Sequence, residues 1–272
     1  MPQPNQTFRT LQVAAVLCIA CSAVVSLARV GLLKQQEDNK VLDRQKNILD
    51  AAGLSTGEFG QPASELSREQ IEELYAWVEE ELIDLETGET VTDMDVAAYD
   101  AREAAAKDET SVPIGDVEYN PGVPRREKIA KVYKVKRPGS DQQLIVLPVY
   151  GKGLWSTLYG YLALKGDLNT IQGLTFYEHA ETPGLGGEVD NPKWKAQWED
   201  KKLFDSEGDP AAIVFKGTAP RGDIHAVDGL SGATITSRGV TVLIRYWAGE
   251  NGYGNYLKKL KNANTNSQTA GI

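Results

Sequence analysis

The densest chemistry in this chain lies in Asp228-Gly229-Leu230-Ser231-Gly232-Ala233-Thr234-Ile235-Thr236-Ser237. An acid, two glycines and four hydroxyl side chains fall within that stretch. Gly229 and Gly232 let the backbone turn tightly and approach a ligand closely. A helical-looking run, Arg238 to Trp247, follows at once, so the hydroxyls stand where a helix begins. Free backbone N–H groups and the helix dipole favour an anion at such a place. A phosphate would be well held there, and a threonine oxygen can be esterified to it. A Ser/Thr N-cap ahead of an ordinary amphipathic helix fits the same residues.

Two further glycine-rich turns stand out. Gly151-Lys152-Gly153-Leu154-Trp155-Ser156 connects two strand-like runs. Glu178-His179-Ala180-Glu181-Thr182-Pro183-Gly184-Leu185-Gly186-Gly187 follows another. Taken singly, each turn reads as a tight connection, Trp155 as packing and His179 as a satisfied structural histidine. Taken with the Asp228–Thr234 element, they are hard to dismiss as unrelated turns.

The elements that must position these residues come from 272 residues, enough for one large domain or two small ones. Composition is that of a globular protein, with 41% apolar and 25% charged residues. A formal charge of −9 with no offsetting basic patch argues against nucleic-acid binding. Cys18 and Cys21 both lie in the hydrophobic N-terminal run, and no thiol follows residue 21. The soluble part therefore lacks a disulfide, Cys-ligated zinc, an iron–sulfur cluster and a catalytic cysteine. His179 and His225 alone do not build a His-rich metal site, so no metal is expected. Redox chemistry here needs a non-metal cofactor, and a flavin fits.

Between Arg9 and Arg29 the run Thr10 to Ala28 carries no charge. As a helix it spans about 28 Å, enough to cross a hydrocarbon core. A cleaved signal peptide and a lipoprotein signal ending at Cys21 are the rivals. Against the first, the run is long and Ser26-Leu27-Ala28 is a poor cleavage site. Against the second, the apolar run continues through Ala23-Val24-Val25 and Leu27. An uncleaved anchor over residues 1–33 is the expectation. Arg9 on one flank and Arg29, Lys34 and Lys40 on the other slightly favour the bulk of the chain inside.

Residues 34–124 read as a helical and acidic segment. A polar amphipathic helix continues to Asp50, and Gly53 to Pro62 is a Gly/Ser/Pro break. Ser67 with Gln70 forms a capping box, after which Ile71, Leu74, Tyr75, Val78 and Leu82 follow at helical spacing, with Thr87-Gly88 at the end. Asp93 to Pro124 is acidic and broken by Pro113, Pro121 and Pro124. Residues 125–272 read differently. Lys128 to Lys136 and Gln142 to Tyr150 are strand-like around Pro138-Gly139-Ser140-Asp141, a hairpin signal. Ser156 to Leu164 and Asn169 to Tyr177 pair around Lys165-Gly166-Asp167. Pro192 opens a short helix with Trp194 and Trp198, and Ala212 to Phe215 is a further strand. The fold class is α+β: a largely antiparallel sheet with flanking helices, preceded by one transmembrane helix.

The three turns, read as GKGLWSTLYGYLAL, YEHAETPGLGGEV and VDGLSGATITS, resemble the FMN-binding domain family. That domain is shared by the C subunit of the bacterial Na+-translocating NADH:quinone oxidoreductase and the G subunit of Rnf-type complexes, and the text is most similar to the first. The resemblance covers roughly residues 125 to 260, and the single anchor and overall length extend it to the whole chain. Within it, Asp228 to Thr234 matches the flavinylation signature D-x-x-(S/T)-G-A-(T/S) at every fixed position. The resemblance implies that Asp228, Ser231, Gly232 and Ala233 are recognised by a periplasmic flavin transferase. It implies that Thr234 carries covalent FMN through a phosphoester, with Thr236 and Ser237 left unmodified.

A flavin held by one phosphoester still needs its rings positioned. The Thr182-Pro183-Gly184-Leu185 turn can bring backbone N–H groups and a small apolar surface to the isoalloxazine, and Trp155 can stack on or wall it. Glu181 either bonds the ribityl chain or orders the loop, and Lys216 is a counter-charge for the phosphate. What the resemblance implies is an electron-relaying flavoprotein subunit of a six-subunit sodium pump in the bacterial inner membrane, its soluble part periplasmic. NADH oxidation, quinone reduction and the sodium path then belong to other subunits, in keeping with the lack of a Rossmann fingerprint. Two alternatives are an Rnf-type subunit and an anchored non-redox module that binds a loose phosphate ligand.

Overall fold

The computed structural model describes residues 4–140 and 143–269. The chain divides into two compact units, Met1–Arg44 and Gln45–Ile272. The first unit is helical. It holds most of α1 (Pro4–Ala51), whose apolar stretch is long and hydrophobic enough to cross a membrane. Leu11, Val13, Val16, Leu17, Ile19, Val24, Val25 and Leu27 are all exposed along it. A helix apolar on every side needs an apolar surround that is not water.

The second unit is built on a six-stranded antiparallel sheet. In chain order its strands are β1 (Val78–Asp84), β2 (Thr90–Val91), β5 (Ile129–Lys136), β6 (Gln143–Lys152), β7 (Thr157–Leu164) and β8 (Ile171–Glu178). Across the sheet they run β2-β1-β5-β6-β7-β8. Two small ribbons complete the strands: antiparallel β3 (Ser111–Pro113) with β4 (Arg125–Glu127), and parallel β9 (Ile213–Val214) with β10 (Ala226–Val227). The helices are α2 (Leu54–Phe59), α3 (Arg68–Tyr75), α4 (Ala101–Ala106), α5 (Pro192–Lys195), α6 (Thr234–Ala248) and α7 (Gly254–Thr269). Ile145, Leu147, Val149, Leu158 and Leu162 form one core with Trp194, Trp198, Leu243, Trp247 and Tyr253 from the helical side. Apolar residues at alternate strand positions and at helical spacing are what let these layers close on each other.

The expected hairpins are present, with β5 against β6 and β7 against β8; Asp141 and Gln142 lie outside the described residues. Three expectations are corrected. The helical spacing from Ile71 to Leu82 breaks after Tyr75, and Val78–Asp84 is instead β1, paired with β5 from Val78↔Val135 to Asp84↔Ile129. Val78 and Leu82 satisfy a strand period as well as a helical one, and a free edge on β5 decides between them. Gly88 consequently turns the β1–β2 hairpin rather than ending a helix. The Gly53–Pro62 break contains α2, set off by left-handed Gly53 and Gly60. The acidic segment thus donates a strand to the sheet, so the sheet draws on both sides of residue 124. Its remainder holds α4, capped by the Asp100 carboxylate on the Arg102 and Glu103 amides, and β3.

Candidate functional site

Helix α6 begins without a side-chain cap. Its N-cap residue is Ala233, and the first helical bond runs from the Ser237 amide to the Ala233 carbonyl at 2.9 Å. The capping alternative therefore fails: Ser231 and Thr234 are both exposed, and among the described residues neither hydroxyl has a hydrogen-bond partner. The two later hydroxyls are committed elsewhere. Thr236 is 0% exposed and donates to Glu181 Oε2 at 2.6 Å. Ser237 is buried and its Oγ accepts from the Leu230 amide at 3.0 Å. One threonine of the turn faces outward and one is spent inside.

Glu181 joins the three turns. Its Oε1 accepts from the Trp155 amide at 2.9 Å and the Ser156 amide at 3.2 Å; its Oε2 accepts from the Leu154 amide at 3.2 Å as well as from Thr236. A Cβ on Gly153 would stand 2.6 Å from Oε1, and one on Gly186 would stand 2.7 Å from Oε2. Both glycines are thus required for the carboxylate to sit where it does. Burial opposes its ionisation, but the Thr236 hydroxyl and the three amides outweigh that and hold the carboxyl below its usual range. These bonds order the three loops, one of the two roles expected of Glu181. The Ala180 amide donates to Ser156 Oγ at 2.7 Å, a second tie between the same loops. His179 is structural: its Nδ1 accepts from the Glu181 amide, so Nε2 carries the proton toward Asp190 at 2.8 Å.

Around this clamp the surface is apolar. Trp155 is 66% exposed, and Leu154, Leu185, Phe215 and Ile235 also face outward. In the Thr182–Leu185 turn the Thr182 carbonyl accepts from the Leu185 and Gly187 amides, and Gly184 takes the left-handed conformation. Leu185 then lies against the motif, its Cδ2 at 2.9 Å from where a Cβ on Gly232 would be. Any side chain at residue 232 would push Leu185 away.

Asp228 is tied in place from three sides. Its Oδ1 accepts from the Ala219 amide at 2.7 Å, its carbonyl from Trp194 Nε1 at 2.8 Å, and its amide donates to Gln197 at 2.9 Å. Lys216 is exposed on the neighbouring loop, between Phe215, bonded to Val227, and Gly217, whose carbonyl accepts from the Gly229 amide. It forms no ion pair among the described residues. Sequence reasoning did not find Arg102, whose guanidinium lies 3.7 Å over the Tyr159 ring and pairs with Glu178 at 2.8 Å. It braces the strand end from which the Glu181 loop departs, and nothing in its local sequence signals that contact.

The residues fit an FMN group. They supply an exposed, unbonded hydroxyl at an uncapped helix start, a glycine cradle beside it and an outward-facing indole. No cluster suited to a metal ion occurs among the described residues.

Residues 153–249 match the FMN-binding domain family. The chain is 42% identical over 262 residues to the C subunit of the Na(+)-translocating NADH-quinone reductase of Yersinia pestis, covering 96% of each. It is 43% identical to the protein of that name from Vibrio parahaemolyticus, covering 95% of this chain and 97% of the relative. The crystal structure of Shewanella oneidensis NqrC superposes with a TM-score of 0.72 at 37% identity, over 80% of this chain and 96% of that one. Identity of 42–43% to these C subunits along nearly the whole chain places it in the NqrC family, the C subunits of the Na+-translocating NADH-quinone reductase.

Proposed function

We propose that this chain is the flavoprotein C subunit of a Na+-translocating NADH-quinone reductase, with FMN joined to Thr234 Oγ1 through a phosphoester. The observation that carries the assignment is the contrast within one helical turn: Thr234 is exposed and unbonded, while Thr236 is buried and bonded to Glu181. When bound, FMN supplies the electron storage, and the chemistry belongs to the cofactor. The chain supplies the rest. Its uncapped helix start offers backbone N–H groups and the positive end of the dipole to the phosphate, and Lys216 adds a counter-charge from the adjacent loop. Trp155 and Leu185 wall the rings, and Glu181 holds the loops that carry those walls.

Asp228, Ser231, Gly232 and Ala233 form the face read by a flavin transferase during maturation. The apolar part of α1 anchors the chain in the bacterial inner membrane, with the second unit outside the cytoplasm, where that transferase works. The protein relays electrons within a six-subunit complex, while NADH and quinone are handled by its partners.

The covalent bond is tested by mass. Protein from a host possessing the transferase should exceed the sequence mass by one FMN less one water, with tandem spectra placing the adduct on Thr234. Fluorescence should persist in a denaturing gel, be lost in Thr234→Ala and be retained in Thr236→Ala. Flavin released on denaturation would defeat the covalent reading and leave a non-covalent flavin module.

A further inference from the structure

We infer that Glu181 is the positioning residue of the flavin site and also the fixed negative charge that sets the midpoint potential of the FMN held there; this rests on the reading of Thr234 as the attachment residue. The carboxylate is 5% exposed, takes four hydrogen-bond donors and has no cationic partner among the described residues. A buried anion without a counter-ion is costly, and packed neutral groups usually join structural elements at less cost. Its four donors favour the ionised form and hold the carboxyl below its usual range against the cost of burial. Retaining full charge under the loops therefore has an effect beyond joining them.

That charge lies beneath the ring-facing residues. Its bonds run to the backbone of Leu154 and Trp155, it touches Thr236 two positions beyond the attachment residue, and Gly186 beside it adjoins Leu185. Reduction of a flavin held there by an electron from a neighbouring centre would add one negative charge at the ring until a proton from solvent followed. In a partly dry site a fixed anion nearby opposes that gain, because screening is weak. The carboxylate thus lowers the potential, while its four donors moderate the field it exerts.

Two variants separate charge from mere loop order. Glu181→Gln keeps the acceptor facing the Trp155 and Ser156 amides, and the Thr236 hydroxyl can rotate to accept from the new NH2, but the charge is gone and the Leu154 amide loses its acceptor. Thr236→Val keeps the charge and removes one donor from it. Both are made as full-length chains in detergent from a transferase-competent host, and midpoint potentials are read by spectroelectrochemistry. Glu181→Gln should raise the potential by about tenfold in the reduction equilibrium, about 59 mV for one electron. Thr236→Val should lower it. General loosening of the loops would move both in the same direction, so shifts of equal sign, or no shift in either, overturn the inference. If Glu181→Gln fails to accumulate as folded flavoprotein, Thr236→Val decides alone, and a raised or unchanged potential there overturns it. If the parent lacks the covalent adduct, the Thr234 reading itself has failed, and intact mass reveals that separately.

Discussion

Thr234 and Thr236 share one turn of α6, yet only the first presents its hydroxyl to solvent. Two residues along a helix is a rotation of about 200°, so a helix that buries one of them on its core side must turn the other outward. Helix geometry thus leaves Thr234, and not Thr236, as the accessible threonine of the turn. Trp155 illustrates the opposite arrangement: a large apolar ring left 66% exposed in a loop otherwise fixed by its backbone amides. Trp155→Ala should therefore leave the melting temperature of the colourless protein nearly unchanged, within about 0.5 kcal/mol in stability. In the flavin-loaded protein it should alter the visible absorption band while the adduct mass remains. A spectrum identical to the parent's would remove Trp155 from the ring site.

At the scale of elements, β4 and β6 bring a carboxyl into the core. Glu127 is 2% exposed, and the Tyr150 hydroxyl donates to its Oε2 at 2.5 Å. Burial dominates over the Tyr150 bond and the nearby Arg126 charge, and pushes the Glu127 pKa up to about 7. A carboxyl raised in the folded state binds its proton more tightly there than when unfolded. Its contribution is thus fullest below the unfolded value near 4.5 and is lost as pH rises toward 7. Over that window the loss is on the order of 3 kcal/mol. Glu127→Gln should flatten this part of the stability–pH profile, as urea titrations from pH 4 to 8 would record. A parallel profile in the variant would mean that Glu127 does not titrate there.

The elements also show which parts of the fold were legible. The β5–β6 and β7–β8 hairpins follow from alternation bounded by glycine turns, and the Ser67–Gln70 box does cap α3. Val78 to Leu82 was not legible, because its spacing fits two periods and its partner β5 lies about fifty residues on. The site residues were legible as types in turns. Their division of labour was not: the clamp of Glu181 depends on contacts that only the folded sheet brings together. Arg102 over Tyr159 is a still longer-range contact with no local mark.

For the whole molecule, the two units answer different surroundings. The first carries an exposed apolar helix and both cysteines, whereas the second holds the sheet, the core and the candidate site. Among the described residues the first buried side chain is Ile48. Removing residues 1–33 therefore deletes no core contact, and a chain beginning at residue 34 should be soluble without detergent and keep the melting temperature of the colourless full-length protein. The full-length chain should partition with membranes through Thr10 to Ala28, which is long enough for one crossing. Flanking positive charges slightly favour an interior second unit, whereas the proposed flavin attachment by an extracytoplasmic transferase requires an exterior one. The topology predicted from that proposal is an exterior second unit, against the small charge bias. A C-terminal alkaline phosphatase fusion should therefore be active and a C-terminal green fluorescent fusion dark. An inactive phosphatase with a bright fluorescent fusion would put Thr234 on the wrong side of the membrane and sink the topology.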